Sequence, residues 1–461
     1  MSPADATTAH RVRAQRLLRG WGRTAPTSAA VTGLIDLDDV RDAVATTPRG
    51  VLGRGLGRSY GDGAQNSGGV VVDATTSVGV IDFEPSGRVT ARAGTSLEQL
   101  MEWFVPMGWF VPVTPGTRQV TVGGAIAADI HGKNHHKGGS WCNHVESFRL
   151  MIGSGEVVSV SKDSDPDLFW ATAGGMGLTG VIIDATFQLK AIESSRLVVD
   201  TDRAADLDEV MALMAEGDEA YDYSVAWIDI MTKGSSMGRS VLDRGRFARR
   251  DELPAKMASD PLKFASNSLA SFPPIVPSGL INPLTVRAFN ELWFRKAPAQ
   301  RRDAISSITQ FFHPLDMVAE WNRVYGPKGF LQWQYVVPDA AGEVVRHTLE
   351  ELSRSGLAPS FLAVLKRMGQ GNDGHLSFPS AGWSLAFDTP VGDHDLHVLL
   401  DRLDDTIVEA GGRIYLAKDS RVDARHIEAM YPRVNEWREI RNRVDPDRHF
   451  QSDLARRLRL T

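Results

Sequence analysis

The chain has 461 residues, with 57 acidic against 51 basic side chains for a formal net charge of −6, and one cysteine. That balance excludes the basic footprint of a nucleic-acid binder, the lone Cys142 excludes an intrachain disulfide, and the length suffices for two to three domains with cores of their own. No apolar run approaches the ~20 residues that span a bilayer. Residues 1–30 also lack the apolar stretch of a secretory signal, so a soluble, cytoplasmic protein is the default expectation.

Residues 1–20 are polar and expected to fray. A helix is predicted from Asp38 to Thr46, with its acids in the first turn. The stretch 53–66 then carries five glycines within eleven residues, Gly53 to Gly63, between the apolar pair Val51 and Leu52 and the strand-like run Val70 to Asp73. Such a loop leaves its backbone bare and able to turn N–H groups onto an anion. A dinucleotide fingerprint needs a third glycine opening into a helix, with an acid about 20 residues on. Asp73 meets the spacing, but Tyr60 occupies the glycine position and the Gly-rich continuation cannot carry a helix. The Walker lysine is absent too. The loop therefore joins strand to strand.

Val78 to Ala93 reads as two strands across Pro85-Ser86-Gly87. Ser96 to Gln99 forms a capping box before the apolar face Leu97, Leu100, Met101 and Phe104. A second Gly-rich block spans 115–140. A third, 174–180, follows a helix opened by Asp165 and Pro166 and leads into a strand from Val181 to Lys190. Three such loops suit a large ligand lying across the ends of several strands. From Arg196 onward, helices (204–215, 342–355, 395–410) alternate with aromatic-rich strands (221–228, 329–337, 383–387). This predicts an α+β domain built on an antiparallel sheet with helices on one face. Between Lys263 and Arg287 no residue is charged and four are proline. That segment is expected either to meander over its own domain or to form a mobile, lipid-contacting flap, and it reads as too Pro-rich for a helix.

His131, His135, His136, Cys142 and His144 invite a metal reading, but the intervening glycines offer no rigid tetrahedral frame and no metal is expected. His131 ends the Ala-rich run 125–130 at a point where a loop leaves a packed element. It is a candidate catalytic group, with a satisfied structural histidine as the alternative. Gln332 and Gln334 alternate with Trp333 and Tyr335, so two amides share one face of a strand and suggest a polar ligand. Lys366 and Lys418, placed at or beyond strand ends, read individually as solvated charges.

Several motifs carry a resemblance. Arg-Gly-Leu-Gly-Arg-Ser-Tyr-Gly-Asp (54–62), Pro-Gly-Thr (115–117), Thr-Val-Gly-Gly-Ala-Ile-Ala (121–127), Asp-Leu-Phe-Trp-Ala (167–171) and Gly-Gly-Met-Gly-Leu-Thr-Gly (174–180) resemble the FAD module of the vanillyl-alcohol oxidase, or PCMH-type, superfamily. Within it, His-Gly-Lys-Asn-His-His (131–136), Phe-His-Pro-Leu-Asp (312–316) and Ala-Lys-Asp-Ser-Arg (417–421) are similar to the flavin subunits of decaprenylphosphoryl-β-D-ribose 2′-epimerases. The similarity runs from Gly20 to Arg457.

The resemblance implies a two-domain PCMH-type α+β fold. Its parts would be a flexible terminus (1–20), an FAD domain (21–195), a substrate domain (196–412) with a mobile segment near 260–290, and a C-terminal segment (413–461) returning to the FAD domain. The implied reaction is FAD-dependent oxidation of the 2′-hydroxyl of decaprenylphosphoryl-ribose, completed by a separate NADH-dependent keto-reductase to give the arabinose unit of cell-wall arabinan. The alternative is an alditol or aldonolactone oxidase of the same superfamily. A lipid substrate implies peripheral membrane contact, and relatives have been placed at the periplasmic face.

Lys418 is implied as the catalytic group at the 2′-oxygen, with His131 and Tyr60 as alternates. Lys133, Lys366, Gln332, Gln334, Ser384, Ala386 and Trp227 are implied to bind substrate. FAD contacts are implied at Gly53, Arg54, Gly55, Leu56, Gly57, Arg58, Ser59, Tyr60, Gly61, Gly116, Thr117, Val120, Thr121, Gly123, Gly124, Ala128, His131, Gly177, Gly180, Val181 and Tyr415. Two departures matter. Superfamily members that attach flavin covalently use a histidine where this chain has Arg58, so the flavin is expected to be non-covalent. Relatives often carry Asn-x-Cys where this chain has Ser384-Leu385-Ala386, so the pocket is expected to lack a thiol and to resist inhibitors that capture it.

Overall fold

The computed structural model describes residues 13–266, 270–273, 276–392 and 394–461. Leu269 and Ile275 of the uncharged run therefore lie outside the described residues. The first sheet pairs Ala14–Leu18, Thr27–Gly33, Val70–Asp73 and Val51–Arg54 in that spatial order; its last three strands are parallel. Residues 14–18, expected to fray, instead form its antiparallel edge. The second sheet is a five-stranded antiparallel layer ordered Val80–Phe83, Arg88–Arg92, Val181–Gln188, Val145–Met151 and Val157–Ser161. One apolar core joins the two sheets to the helix Leu97–Phe104, whose capping box forms as read.

The second domain is an eight-stranded antiparallel sheet ordered Gln300–Ser307, Arg196–Ala204, Ser240–Phe247, Tyr223–Ile228, Ala363–Met368, Gly382–Pro390, Phe330–Val337 and Arg413–Ile414. Its outer face (Leu331, Trp333, Tyr335, Leu365, Leu385, Phe387) packs beneath the helices Leu207–Gly217, Glu343–Ser355 and His394–Glu409. Alternation along a strand turns every second residue to the opposite face. The inner face thus holds, in register, Gln332 beside Asp388, Ala386 between Gln334 and Val364, and Ser384 beside Lys366. Lys366 lies mid-strand, not at a strand end as its sequence context suggested.

Pro283 opens a 14-residue helix, Pro283–Lys296, where the proline count had argued against one. Proline is well tolerated at a first helical position, and Asn282 caps it through the N–H groups of Leu284 and Thr285. After Arg413–Ile414 the chain returns to the first domain. Phe450 bridges Val51, the Gln451 N–H donates to the Val51 carbonyl at 3.0 Å, and Asp453 accepts from the Ser67 N–H at 3.0 Å.

Candidate active site

A cleft of about 260 Å³ separates the first domain's loops from the inner face of the large sheet. One wall is made by residues 53–60 and 114–121, the other by Gln332, Gln334, Val364, Lys366 and Ala386, and Tyr415, Ala417 and Lys418 close one end.

The glycine loop is shaped by close approaches. A Cβ on Gly55 would stand 2.2 Å from the Thr121 hydroxyl, and one on Gly57, at φ +65°, would meet the Arg54 guanidinium. Arg54 in turn donates to the carbonyls of Ala64 and Arg19 at 2.6 and 2.8 Å, stapling the loop closed. Gly116 differs: apart from its two chain neighbours no protein atom lies within 4 Å of where its Cβ would be, so bare backbone faces the cleft. That exposed backbone, set beside the glycine loop, fits a dinucleotide lying against it. Thr117 and the Arg118 N–H both donate to Asp316 at 2.8 Å, and Thr114 bonds His313 at 2.8 Å. The 312–316 motif thereby clamps the 114–118 loop across the domain boundary. Arg58 lines the cleft with its guanidinium 4.0 Å from the Trp21 ring.

His131 reaches the cleft because Asp129 holds the turn before it. Asp129 is fully buried at φ +38° and accepts from Ser140 (2.8 Å), the Cys142 N–H (2.9 Å), Asn372 (2.8 Å) and Ser377 (2.5 Å). Four donors from both domains offset a backbone conformation that non-glycine residues rarely take. The His131 Nε2 accepts from Gln334 at 2.9 Å, and its Nδ1 has no protein partner. Burial, and then the charges of Lys366, His135 and Lys418, hold its pKa well below the ordinary value, so the ring is neutral. Tyr415, which donates to the Ala128 carbonyl at 2.9 Å, and Phe378 pack against it.

Lys418 sits with Nζ 3.9 Å from the centre of the Tyr60 ring, and the Tyr60 N–H donates to the Ala417 carbonyl at 3.0 Å. Burial lowers the Lys418 pKa to about 7 against the raising effect of Asp388. Asp388 is wholly enclosed. One carboxylate oxygen accepts from the Gln332 amide, the other has no protein partner, and burial raises its pKa to about 7 against the lowering effects of Gln332 and the Lys418 charge. Asp388 was not singled out from sequence. Its signal was a lone acid closing an apolar strand, opposite one of the two conspicuous glutamines.

Lys366 has its pKa lowered to about 8 by burial alone. Lys133, likewise lowered to about 8, donates to the Phe311 carbonyl and lies 4.5 Å over that ring. Not every implied contact reaches the cleft. Gly61, Gly123, Gly177, Gly180 and Val181 do not line it. Gly61 lies against the Asp419 carbonyl, Gly123 against Ala93 and Gly180 against the Met151 carbonyl, so these are packing positions. Ser384 stands behind Gln334 at 3.3 Å, and Trp227 gives its indole N–H to the Phe361 carbonyl at 3.0 Å without lining the cleft. The other implied residues line it, joined by Trp21, Thr114, Leu315, Trp321 and Leu362, which the sequence did not mark. Ala386 presents no thiol, and Cys142 is buried elsewhere with its thiol pKa pushed up by burial.

His135, His136 and His144 bond the Gly369 N–H and the carbonyls of Tyr221 and Gly138. Among the described residues no group of three or more His, Cys, Asp or Glu could hold a metal ion.

Comparison with known proteins agrees with this geometry. The FAD binding domain family matches residues 29–161, which contain both cleft loops, and the D-arabinono-1,4-lactone oxidase family matches residues 387–458. The chain is 48% identical to the decaprenylphosphoryl-beta-D-ribose oxidase of Mycolicibacterium smegmatis, over 99% of this chain and 100% of that protein. It is 39% identical over 79% of its length to the whole of an uncharacterized Streptomyces coelicolor protein. It is 23% identical over 94% of both chains to the L-gulono-1,4-lactone dehydrogenase of Mycobacterium tuberculosis. With its Gly-rich cleft, its clamped loops and full-length identity of this order, the chain belongs to the FAD-dependent decaprenylphosphoryl-β-D-ribose oxidase family.

Proposed function

We propose that the protein oxidises the 2′-hydroxyl of decaprenylphosphoryl-β-D-ribose to the 2′-ketone, the first half of an epimerisation that supplies arabinose for cell-wall arabinan. The carrying observation is the cluster of Lys418, Gln332 and Tyr60 in the cleft lining, backed by the enclosed Asp388. Bound FAD supplies the two-electron acceptor.

The chain's own residues supply the rest. Lys418, depleted of its proton by burial, takes the proton of the 2′-hydroxyl at Nζ. Asp388 behind it balances the charge that forms and orients the Gln332 amide toward the sugar. Neutral His131 fixes Gln334, which holds a second hydroxyl. Lys366 and Lys133 offer positive charge to the phosphate. The apolar residues Leu315, Trp321, Leu362 and Val364 exclude water and receive the start of the prenyl chain. The flavin is held non-covalently, because Arg58 occupies the position of an attaching histidine.

A separate NADH-dependent keto-reductase completes the epimerisation, and the enzyme works at a membrane surface as a peripheral protein. Among the described residues no helix is long and apolar enough to cross a membrane. The match of residues 387–458 to the arabinonolactone oxidase family supports a second reading, oxidation of a free alditol or aldonolactone. Anaerobic mixing decides: bleaching of the flavin by the polyprenyl-phosphoribose is expected. Bleaching by free pentitols or lactones alone would establish the second reading, and bleaching by neither would leave a flavoprotein without sugar oxidation.

A further inference from the structure

Five of the thirteen exposed large apolar side chains among the described residues fall between 280 and 293, which makes them a patch rather than a scatter. Leu280 is 48% exposed. The helix Pro283–Lys296 then presents Leu284 (79%) and Leu292 (71%) two turns apart, with Phe289 (43%) and Trp293 (44%) stacked beside them at 6.0 Å and 12°. Its buried side is narrow: Val286 and Asn290 alone are enclosed. Asn290 donates to Asp229 at 2.8 Å and to the Ser360 carbonyl at 3.2 Å, fastening the helix against residues 360–361. Phe289 meets Phe361 edge-on at 5.6 Å, and the next residue, Leu362, lines the cleft. The exposed face is therefore continuous with an apolar wall of the active site.

Its charge is one-sided. Arg287, Arg295 and Lys296 are exposed, and the helix's one acid, Glu291, is engaged by Arg239 and Arg295. Arg287 and Lys296 have no acidic partner at ion-pair distance among the described residues. The other exposed apolar cluster, Val78, Val80 and Ile81, is followed in its strand by exposed Asp82, which an anionic surface would repel. Leucine, phenylalanine and tryptophan over the exposed half of a helix, with one basic residue at its edge (Arg287) and two in its last turn (Arg295, Lys296), is a composition of helices that lie in a lipid interface.

We propose that the exposed face of helix Pro283–Lys296 is the docking surface of this protein for a membrane rich in anionic lipid, holding the cleft beside the bilayer. Leu284, Leu292, Phe289 and Trp293 enter the headgroup boundary while Arg287, Arg295 and Lys296 meet lipid phosphates. This rests on the reading of a polyprenyl substrate and names the surface by which the enzyme reaches it.

The test is flotation of the FAD-loaded full chain with vesicles of phosphatidylcholine alone and of phosphatidylcholine with phosphatidylglycerol. The wild-type protein is expected to float with the anionic vesicles, and less so at about 0.5 M salt, where the Debye length falls to a few ångström. L284E/L292E is expected to lose about tenfold in vesicle-bound fraction, and R287E/K296E to lose the preference for anionic lipid. Both should retain oxidation of a short-chain, water-soluble polyprenyl-phosphoribose and the wild-type melting temperature, since every altered side chain is exposed. Three results would overturn the proposal: variants that float like the wild type, a wild-type protein indifferent to vesicles, or a wild-type dimer that L284E/L292E makes monomeric without any vesicle binding. Failure of the wild-type protein to oxidise the short-chain substrate would instead refute the functional reading, whatever the vesicles show.

Discussion

At Lys418, burial and a neighbouring acid pull in opposite directions. Removal from water favours the neutral amine, and Asp388 favours the ammonium; burial prevails and brings the pKa down to about 7. Only the neutral amine accepts a proton, so kcat/KM is expected to fall as pH drops through that value. Asp388→Asn removes the group that raises the lysine, which moves this acid limb to lower pH and lowers kcat by about 10²-fold. A purely structural role for Asp388 would leave the limb in place, so the profile of the variant, recorded with bound FAD checked by absorbance, separates the two. Lys418→Met should abolish the limb and lower kcat by about 10²–10⁴-fold with flavin retained.

Strands and loops carry the next scale of argument. Lys366 sits in the middle of Ala363–Met368, flanked on the inner face by Val364 and opposite Ser384, with no acid to pair it. Its folded pKa of about 8 lies below the unfolded value of 10.5. Below pH 8 both states hold the proton and the folded state carries the full penalty. Between 8 and 10.5 only the unfolded chain keeps it, so stability rises with pH across that window. At pH 7, Lys366→Met is expected to stabilise the unliganded protein by on the order of 2–3 kcal/mol, read from urea unfolding, while KM for the phospholipid sugar rises. Arg457 poses the opposite case. It grips Asp62 of the glycine loop at 2.8 and 2.9 Å and Asp419 beside Lys418 at 2.8 Å, so one C-terminal side chain ties the glycine loop to the turn that closes the end of the cleft. Arg457→Ala should lower stability by about 3 kcal/mol and accelerate flavin loss, which thermal unfolding and flavin fluorescence would record.

These elements also show what the sequence could and could not convey. The capping box at Ser96–Gln99, the strand-to-strand character of the 53–66 loop and the shared face of Gln332 and Gln334 were legible, because each leaves a local pattern. A glycine needed for packing, such as Gly180 beneath the Met151 carbonyl, looks the same in sequence as one that makes room for a cofactor. The strands Arg196–Ala204, Ser240–Phe247 and Gln300–Ser307 mix charge with apolar residues and find each other only across long separations. Asp388 gained its meaning from a register that no local pattern encodes.

For the whole molecule, the cleft lies where both domains and the returning C-terminal segment meet, so a ligand filling it touches all three. The Asp129 hub, the 312–316 clamp and Arg457 already cross that boundary. A dinucleotide laid between loops 53–60 and 114–121 and the Tyr415–Lys418 turn would add to the same joint. Ligand that binds only the folded state stabilises by mass action, about 2.7 kcal/mol at a hundredfold excess over Kd. Flavin-stripped protein should therefore melt lower than the loaded protein and recover fully when FAD is added back. Recovery of this kind requires that the flavin can leave, and Arg58, packed on Trp21, offers no nucleophile to retain it. Acid precipitation should accordingly release all of the yellow colour to the supernatant. Colour fixed in the pellet would mean that another residue of the cleft has bonded the ring, and the melting temperature would then no longer respond to added FAD.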